Sequence, residues 1–240
     1  MKLSVIIPCY NFENWIEVAI LSALAQKTNF DYEVIVGDDC SRDNSLRHIK
    51  KFDSCIRIIE SEKNIGGFLN IKRLISEARG QYIAYLDGDD YWTNMDTLQT
   101  QVDYLDQNPD TVLTCCGYYE RSNGDYDSLD NGSWNSFPPH LTNWSVDTRQ
   151  LISENVATFA KVFRNIPIIE DWMSDITFLD WAMVYQLSKF GKIQYLDFPA
   201  GVYRKHEAGV FTSLDKNKLE TVKSQIREKL LEDYHLLSLN

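Results

Sequence analysis

Residues 1–90 alternate short apolar runs with amphipathic stretches, and a polar cluster follows three of the runs. Leu3 to Ile7 is an apolar run ended by Pro8, with Cys9-Tyr10-Asn11 turning after it. Trp15, Val18, Ala19 and Leu24 then recur at helical spacing. Tyr32 to Val36 reads as a second strand, stopped by Gly37-Asp38-Asp39, and Asp43 or Asn44 can cap a short helix through Phe52. Ile56 to Ile59 is a third strand. Gly66 and Gly67 open a loop before a helix carrying Leu69, Leu74, Ile75 and Ala78, closed by Gly80. Gln81 to Leu86 is a fourth strand, and Asp87-Gly88-Asp89-Asp90 follows it directly. This alternation predicts parallel βαβ units, an α/β sheet flanked by helices. Ligands bind such sheets beyond the carboxyl ends of the strands. Polar residues after three separate strands are therefore expected to converge on one site.

The second half carries fewer signals. Glu120 to Asn143, rich in Ser, Asn, Asp, Gly and Pro, reads as a long loop. Phe178 to Phe190 reads as a helix with Trp181, Val184, Tyr185 and Leu187 on its apolar side, ended by Gly191. Ile193 to Leu196 reads as a strand, and Asp215 to Leu239 as a terminal amphipathic helix, apolar at Leu219, Val222, Ile226 and Leu230.

The net charge of −11 over 240 residues argues against nucleic-acid binding, which needs a basic footprint, and suits a protein that gathers divalent cations. Cys9, Cys40, Cys55, Cys115 and Cys116 form no CxxC pair and read as reduced, mostly buried thiols. The apolar N-terminal run is too short for a signal peptide, and no later stretch is long enough to span a membrane. A cytoplasmic enzyme is the expectation.

Three carboxylates on the Asp87–Asp90 turn repel one another, and a cation or solvent must relieve them. Mg²⁺ and Mn²⁺ take one or two carboxylates, completed by water and phosphate. The alternative is an acidic surface turn. After the second strand, Asp38 or Asp39 can accept the N3–H of a pyrimidine base, or can cap the following turn. Tyr10 can line a base or pack in the core.

In order along the chain stand Ser4-Val5-Ile6-Ile7-Pro8-Cys9-Tyr10-Asn11, Glu33-Val34-Ile35-Val36-Gly37-Asp38-Asp39-Cys40-Ser41, Asn64-Ile65-Gly66 and Ala78-Arg79-Gly80-Gln81-Tyr82-Ile83-Ala84-Tyr85-Leu86-Asp87-Gly88-Asp89-Asp90-Tyr91-Trp92. Together they resemble the family 2 inverting glycosyltransferases of GT-A fold. The resemblance implies a Rossmann-like, mostly parallel sheet with an acceptor-side C-terminal half. It also implies a nucleotide-sugar donor, usually a UDP-sugar, and Mn²⁺ or Mg²⁺ at the Asp-x-Asp turn. Pro8, Tyr10 and Asp39 match positions that contact the base, and Asn64 lies in the segment near the nucleotide. Asp87 matches the first, nucleotide-side Asp of the motif and Asp89 the metal-binding one. Asp38 ranks below Asp39. Phe178-Leu179-Asp180-Trp181 resembles the acceptor-side helix, although the family often has Glu where Leu179 stands; Asp180 matches the catalytic base. Gly201-Val202-Tyr203-Arg204-Lys205-His206 resembles a segment near the donor diphosphate. Arg204 is therefore expected on the nucleotide side, and His206 on the metal or diphosphate.

The organisation implied is residues 1–110 for the nucleotide-sugar, 111–205 for acceptor and base, and 206–240 as a C-terminal helical segment. The implied reaction is a single displacement that moves a hexosyl or N-acetylhexosaminyl group to a glycan or lipid-linked acceptor, as in bacterial surface polysaccharide synthesis. The paired-carboxylate logic of glycoside hydrolysis fits less well. A nucleotidyltransferase would call for a Gly-rich, basic loop after the first strand, where Cys9-Tyr10-Asn11-Phe12-Glu13 stands instead. A non-catalytic glycan-binding relative is opposed by Asp87, Asp89 and Asp180. Residues 204–229 carry seven Lys or Arg against four Asp or Glu, which raises peripheral contact with the inner face of an anionic membrane as a further expectation.

Overall fold

The computed structural model describes residues 1–122, 159–207, 209 and 214–238. It is a three-layer α/β/α arrangement around one eight-stranded sheet of order β3-β2-β1-β4-β7-β6-β8-β5. The strands are β1 (Leu3–Cys9), β2 (Tyr32–Asp38), β3 (Arg57–Glu60), β4 (Tyr82–Tyr85), β5 (Tyr91–Trp92), β6 (Thr111–Ser122), β7 (Phe159–Arg164) and β8 (Lys192–Lys205). The α-helices among the described residues are α1 (Ile16–Leu24), α2 (Ser45–Ile49), α3 (Gly67–Glu77), α4 (Thr97–Gln107), α5 (Leu179–Ser188) and α6 (Lys216–Ser238).

β1 to β4 form the expected parallel half, in order 3-2-1-4. Their apolar runs are buried on both faces, as parallel strands require. Ile6, Ile35 and Ile83 face α3, α5 and α6, together with Phe163 of β7. Val5, Ile7, Val34, Val36 and Ala84 face α1 and α4 on the other side. The chain runs outward from β1 to β3, then crosses back through α3 to β4 on the opposite side of β1. That reversal opens a crevice at the carboxyl ends of β1 and β4, the position where such sheets hold ligands.

Beyond β4 the sheet turns mixed. β7 pairs antiparallel with β4 and β6, β6 runs parallel to β8, and β5 pairs antiparallel with β8. Two sequence expectations change here, and the phase of two earlier helices differs as well. Glu120–Ser122, expected as loop, ends strand β6; the rest of that segment, 123–143, lies outside the described residues. The strand expected over Ile193–Leu196 runs on to Lys205, with register shifts opposite Gly117 that accommodate Pro199. In α1 the buried face is Ile16, Ala19, Ile20 and Ala23, while Val18 is exposed; in α3 Leu69 is exposed. The five cysteines are free, with Cys9, Cys115 and Cys116 buried. Burial pushes the Cys9 and Cys115 thiols up to about 12, so neither is a nucleophile at neutral pH.

Candidate active site

Three strand ends and one distant strand build the site. After β2, the Asp39 carboxylate accepts the backbone N–H of Ile65 at 2.8 Å and of Gly66 at 2.8 Å. Gly66 takes φ +87, which its missing Cβ permits, and so presents its N–H while opening α3. Asp39 thus fixes the segment that contains Asn64, whose own side chain stays exposed. Asp38 is buried; one oxygen accepts the Ser41 N–H at 3.1 Å, and the other has no hydrogen-bond partner. Both aspartates therefore hold loops: Asp38 caps the turn after β2, and Asp39, buried with both oxygens bonded, ties that turn to the segment before α3. Pro8 and Tyr10 stand half-buried at the end of β1. Asn11, at φ 58, donates its backbone N–H to the Ser41 hydroxyl oxygen at 3.0 Å, and its Oδ1 accepts the Arg42 N–H at 2.8 Å, locking the first two loops together.

The turn after β4 is the centre of the site. Gly88 sits where an added Cβ would meet the Pro8 carbonyl oxygen at 2.7 Å, so the turn is pressed against the end of β1. Tyr85 donates its hydroxyl to Asp87 at 2.8 Å. Burial, then the Asp89 charge, push the Asp87 carboxyl up to about 6; burial with Asp89 and Asp87 pushes Asp90 well above the usual carboxylate range. Asp90 accepts the backbone N–H of Arg204 at 2.8 Å.

The 3.0 Å contact between His206 Nε2 and Asp89 Oδ2 joins residues 117 apart in sequence. The antiparallel pairing of Tyr91 with Val202 and Trp92 with Gly201 brings them together, because β5 follows the acidic turn immediately. Arg204 is drawn back by the same pairing: its guanidinium donates to the Asp89 carbonyl at 2.6 Å and lies 4.3 Å over the Tyr91 ring. Its visible role is to hold the turn. Trp15, at the start of α1, stacks on the His206 imidazole with centroids 4.0 Å apart and planes at 26°. On the far side, Asp180 occupies the first turn of α5, and its charge acts on both Asp87 and Tyr85. The two other aspartates just before α5, Asp171 and Asp175, are exposed and ion-paired instead, to Lys72 at 2.8 Å and Lys229 at 3.2 Å. Tyr118 and Tyr203 add an aromatic wall, their centroids 5.9 Å apart. Among the negative charges that act on Tyr203 are those of Asp90, Asp89 and Asp87.

A divalent cation fits this donor set. The turn gathers carboxylates whose repulsion a cation would relieve, and Asp89 and His206 already place one oxygen and one nitrogen together. Among the described residues no group of three or more His, Cys, Asp or Glu is arranged to hold a metal by protein donors alone. Two protein donors completed by water and phosphate are the usual pattern for Mg²⁺ and related ions.

Trp15, Tyr85 and Lys161 are the site residues that sequence reasoning missed. In the sequence Trp15 reads as part of the helical stripe of Val18, Ala19 and Leu24. Lys161 stands in the apolar strand Phe159-Ala-Lys-Val-Phe, and an isolated lysine in such a run was the available signal.

The glycosyl transferase family 2 model matches residues 4–166. An uncharacterized protein of Mycobacterium tuberculosis is 33% identical over 217 residues, 88% of this chain and 61% of that protein. The TarS poly(ribitol-phosphate) β-N-acetylglucosaminyltransferase of Staphylococcus aureus is 33% identical over 118 residues, 47% of this chain and 20% of TarS. The crystal structure of TarS residues 1–349 with UDP-GlcNAc matches at TM-score 0.69 and 22% identity, covering 95% of this chain and 66% of that one. The mannosyltransferase PcManGT of Pyrobaculum calidifontis, solved with GDP-Man and Mn²⁺, matches at TM-score 0.60 and 16% identity, covering 88% of this chain and 59% of that one. The fold is that of GT-A glycosyltransferases, and the chain belongs to glycosyl transferase family 2. It spans about 60% of the length of the mycobacterial relative.

Proposed function

We propose that this chain transfers a sugar from a nucleoside-diphosphate donor, a UDP-sugar by preference, to a hydroxyl of a glycan or lipid-linked acceptor, with inversion. The single observation that carries the reading is the meeting of Asp89 with His206 at the sheet's switch point, with Asp180 acting across the same crevice. The names of the relatives support the donor class: TarS is solved with UDP-GlcNAc, and PcManGT with GDP-Man and Mn²⁺. TarS glycosylates a poly(ribitol-phosphate), which supports a surface polymer as the acceptor class.

In this reading Pro8, Tyr10, Asp39 and Asn64 border the base. Asp87 faces the nucleotide side of the turn, and Arg204 stiffens it. Asp89 and His206 would hold Mn²⁺ or Mg²⁺, the imidazole favouring Mn²⁺. When bound, the cation supplies charge stabilisation for the leaving diphosphate. The Asp180 carboxylate takes the proton of the acceptor hydroxyl as the hydroxyl oxygen attacks the anomeric carbon from the face opposite the diphosphate. General-base help of this kind contributes roughly 10²–10⁴ in rate. Among the described residues no helix is long and apolar enough to cross a membrane. Within 204–229, Lys205, Lys218, Lys223 and Lys229 are engaged with carboxylates of the same chain, which lowers the charge this stretch would offer to an anionic membrane.

The test is Asp180→Asn. It should bind UDP in Mn²⁺ with wild-type affinity and lose transfer about 100-fold or more, because a base contributes mainly in the transition state. Transfer within a few-fold of wild type would remove Asp180 from the role.

A further inference from the structure

A cleft of about 400 Å³ separates the stretch 175–177, which leads into α5, from the middle of α6. Thr177 stands three residues before Asp180, so their Cα atoms are at most about 11 Å apart. Ile176 and Ile226, both buried, form the floor of the cleft. Ile226 and Leu230 pack α6 into the core that α5 also fills, and Asp175 pairs with Lys229 at 3.2 Å between the two walls. The walls are thereby set before any ligand arrives.

An aliphatic floor with a few hydrogen-bonding groups at its rim is the pattern of a small-molecule site. At this rim stand the exposed Thr177 and Gln225, whose hydroxyl and amide each donate and accept. Glu228 and Glu232 border the same cleft, and among the described residues their carboxylates take part in no hydrogen bond or ion pair. A sugar ring offers the matching set: C–H faces for the isoleucines and hydroxyl donors for the acceptor-only carboxylates. A phosphate does not match. Three lining carboxylates, those of Asp175, Glu228 and Glu232, stand against the one ammonium of Lys229, and like charge excludes a partner more than it weakens a right one.

We propose that this cleft is an acceptor subsite, which takes a neutral sugar unit of the acceptor beyond the one whose hydroxyl reaches Asp180 and turns away phosphate-bearing polymers. The proposal rests on the reading of Asp180 as the base, and it names the chemical class of acceptor that the base would serve.

The experiment is amide NMR of the full chain, titrated separately with cellobiose, N,N′-diacetylchitobiose and ribitol 5-phosphate. At least one of the two neutral disaccharides should shift the amides of 175–177 and 222–232, with a Kd in the millimolar range, and ribitol 5-phosphate should shift none of them. Gln225→Trp, a change at an exposed helix position, should fill the cleft and weaken that binding about tenfold or more. Thr177→Val, which keeps the shape and removes one hydrogen-bonding group, should weaken it about 3- to 10-fold. Glu228→Lys with Glu232→Lys should bring ribitol 5-phosphate to the same amides. With Mn²⁺ and UDP-GlcNAc or UDP-glucose, the disaccharide that binds should speed UDP release, and Gln225→Trp should raise its KM about tenfold or more with little change in kcat. Shifts from neither disaccharide at tens of millimolar, shifts only outside the cleft, or phosphate binding in wild type overturn the proposal, and sugar binding that never speeds UDP release overturns the acceptor assignment. Wild type that releases no UDP from either donor would instead defeat the UDP-sugar reading, while the NMR titration still decides whether the cleft takes a neutral sugar.

Discussion

Gly88→Ala isolates what the acidic turn requires of its backbone. A Cβ at this position would stand 2.7 Å from the Pro8 carbonyl oxygen, 2.9 Å from Phe12 Cδ2 and 3.3 Å from Ile16 Cδ1. Ordinary contact begins near 3.4 Å, so the turn must move away from β1 by about 0.7 Å or the end of β1 must give by as much. The nearest atom belongs to the backbone of a strand paired on both sides, through Pro8 with Gly37 and through Ile6 with Tyr85. The turn is therefore the part that yields. Overpacking of this kind costs about 1–3 kcal/mol, or roughly 2–4 °C of Tm per kcal/mol for a chain of this size. The functional loss should be larger than the stability loss. Asp87 and Asp89 flank Gly88, and misplacement of reacting groups by about 1 Å costs on the order of 100-fold in rate. Thermal melting gives the first number, and calorimetric Mn²⁺–UDP binding with donor turnover gives the second. A variant that melts within 1 °C of wild type, or that melts lower yet binds and turns over normally, would refute the idea that contact with β1 aims these carboxylates.

Trp15→Ala should weaken Mn²⁺-dependent UDP binding about 3- to 10-fold, as loss of an aromatic contact worth about 0.5–1.5 kcal/mol predicts, whereas Trp15→Phe should restore most of it; equal affinity in the two variants would dismiss the stack as a clamp on His206. A pH test concerns Glu33: burial works against its charge, but Arg57 at 2.8 Å, the Ser4 hydroxyl at 2.7 Å and the Arg79 N–H at 3.0 Å hold the carboxyl below its usual value. Because the folded-state value is depressed, the stabilisation is complete above the unfolded Glu value of about 4.3 and is lost as pH falls through the folded one. Glu33→Gln should thus be less stable than wild type at pH 7, with the gap closing below about pH 4 in urea titrations; a constant gap down to pH 3 would contradict the assignment.

The parallel half was legible because its rules are local. Strands buried on both faces show as apolar runs, and the loops at their carboxyl ends show as interruptions in them. Residues such as Ile6, Ile35 and Asp87 could be placed from spacing alone. Helix phase was harder to read. The inner face of α1 is built partly from Ala19 and Ala23, small residues that let the helix lie close on the sheet, while the larger Val18 and Leu21 face out. The antiparallel part was illegible for a different reason. β5 has two residues and no pattern, β7 stands apart from its partner β4 by some eighty positions, and β8 passes through Asp197-Phe198-Pro199, which reads as a break. In each case the strand exists because a neighbour already in place offers backbone hydrogen bonds, and no run of residues announces that.

That division explains which parts of the site were found. Acidic residues at strand ends announce themselves by type, so Asp39, Asp87 and Asp89 stand out directly, whereas Asp180, in the first turn of a helix, is reached only through the family resemblance. The groups that act on them are supplied by long-range pairing. β5 must pair with β8 before His206 can reach Asp89, β7 must pair with β4 before Lys161 can sit behind Tyr85, and α1 must pack before Trp15 can cover the imidazole. The carboxylates of the acidic turn are thus local to the first half, while Lys161 and His206 arrive with the second. A fold that formed only β1 to β4 would place three carboxylates on one turn with neither Lys161 nor His206 beside them. Closing the antiparallel half brings both to that end of the sheet, so assembly of the site and completion of the sheet are the same event.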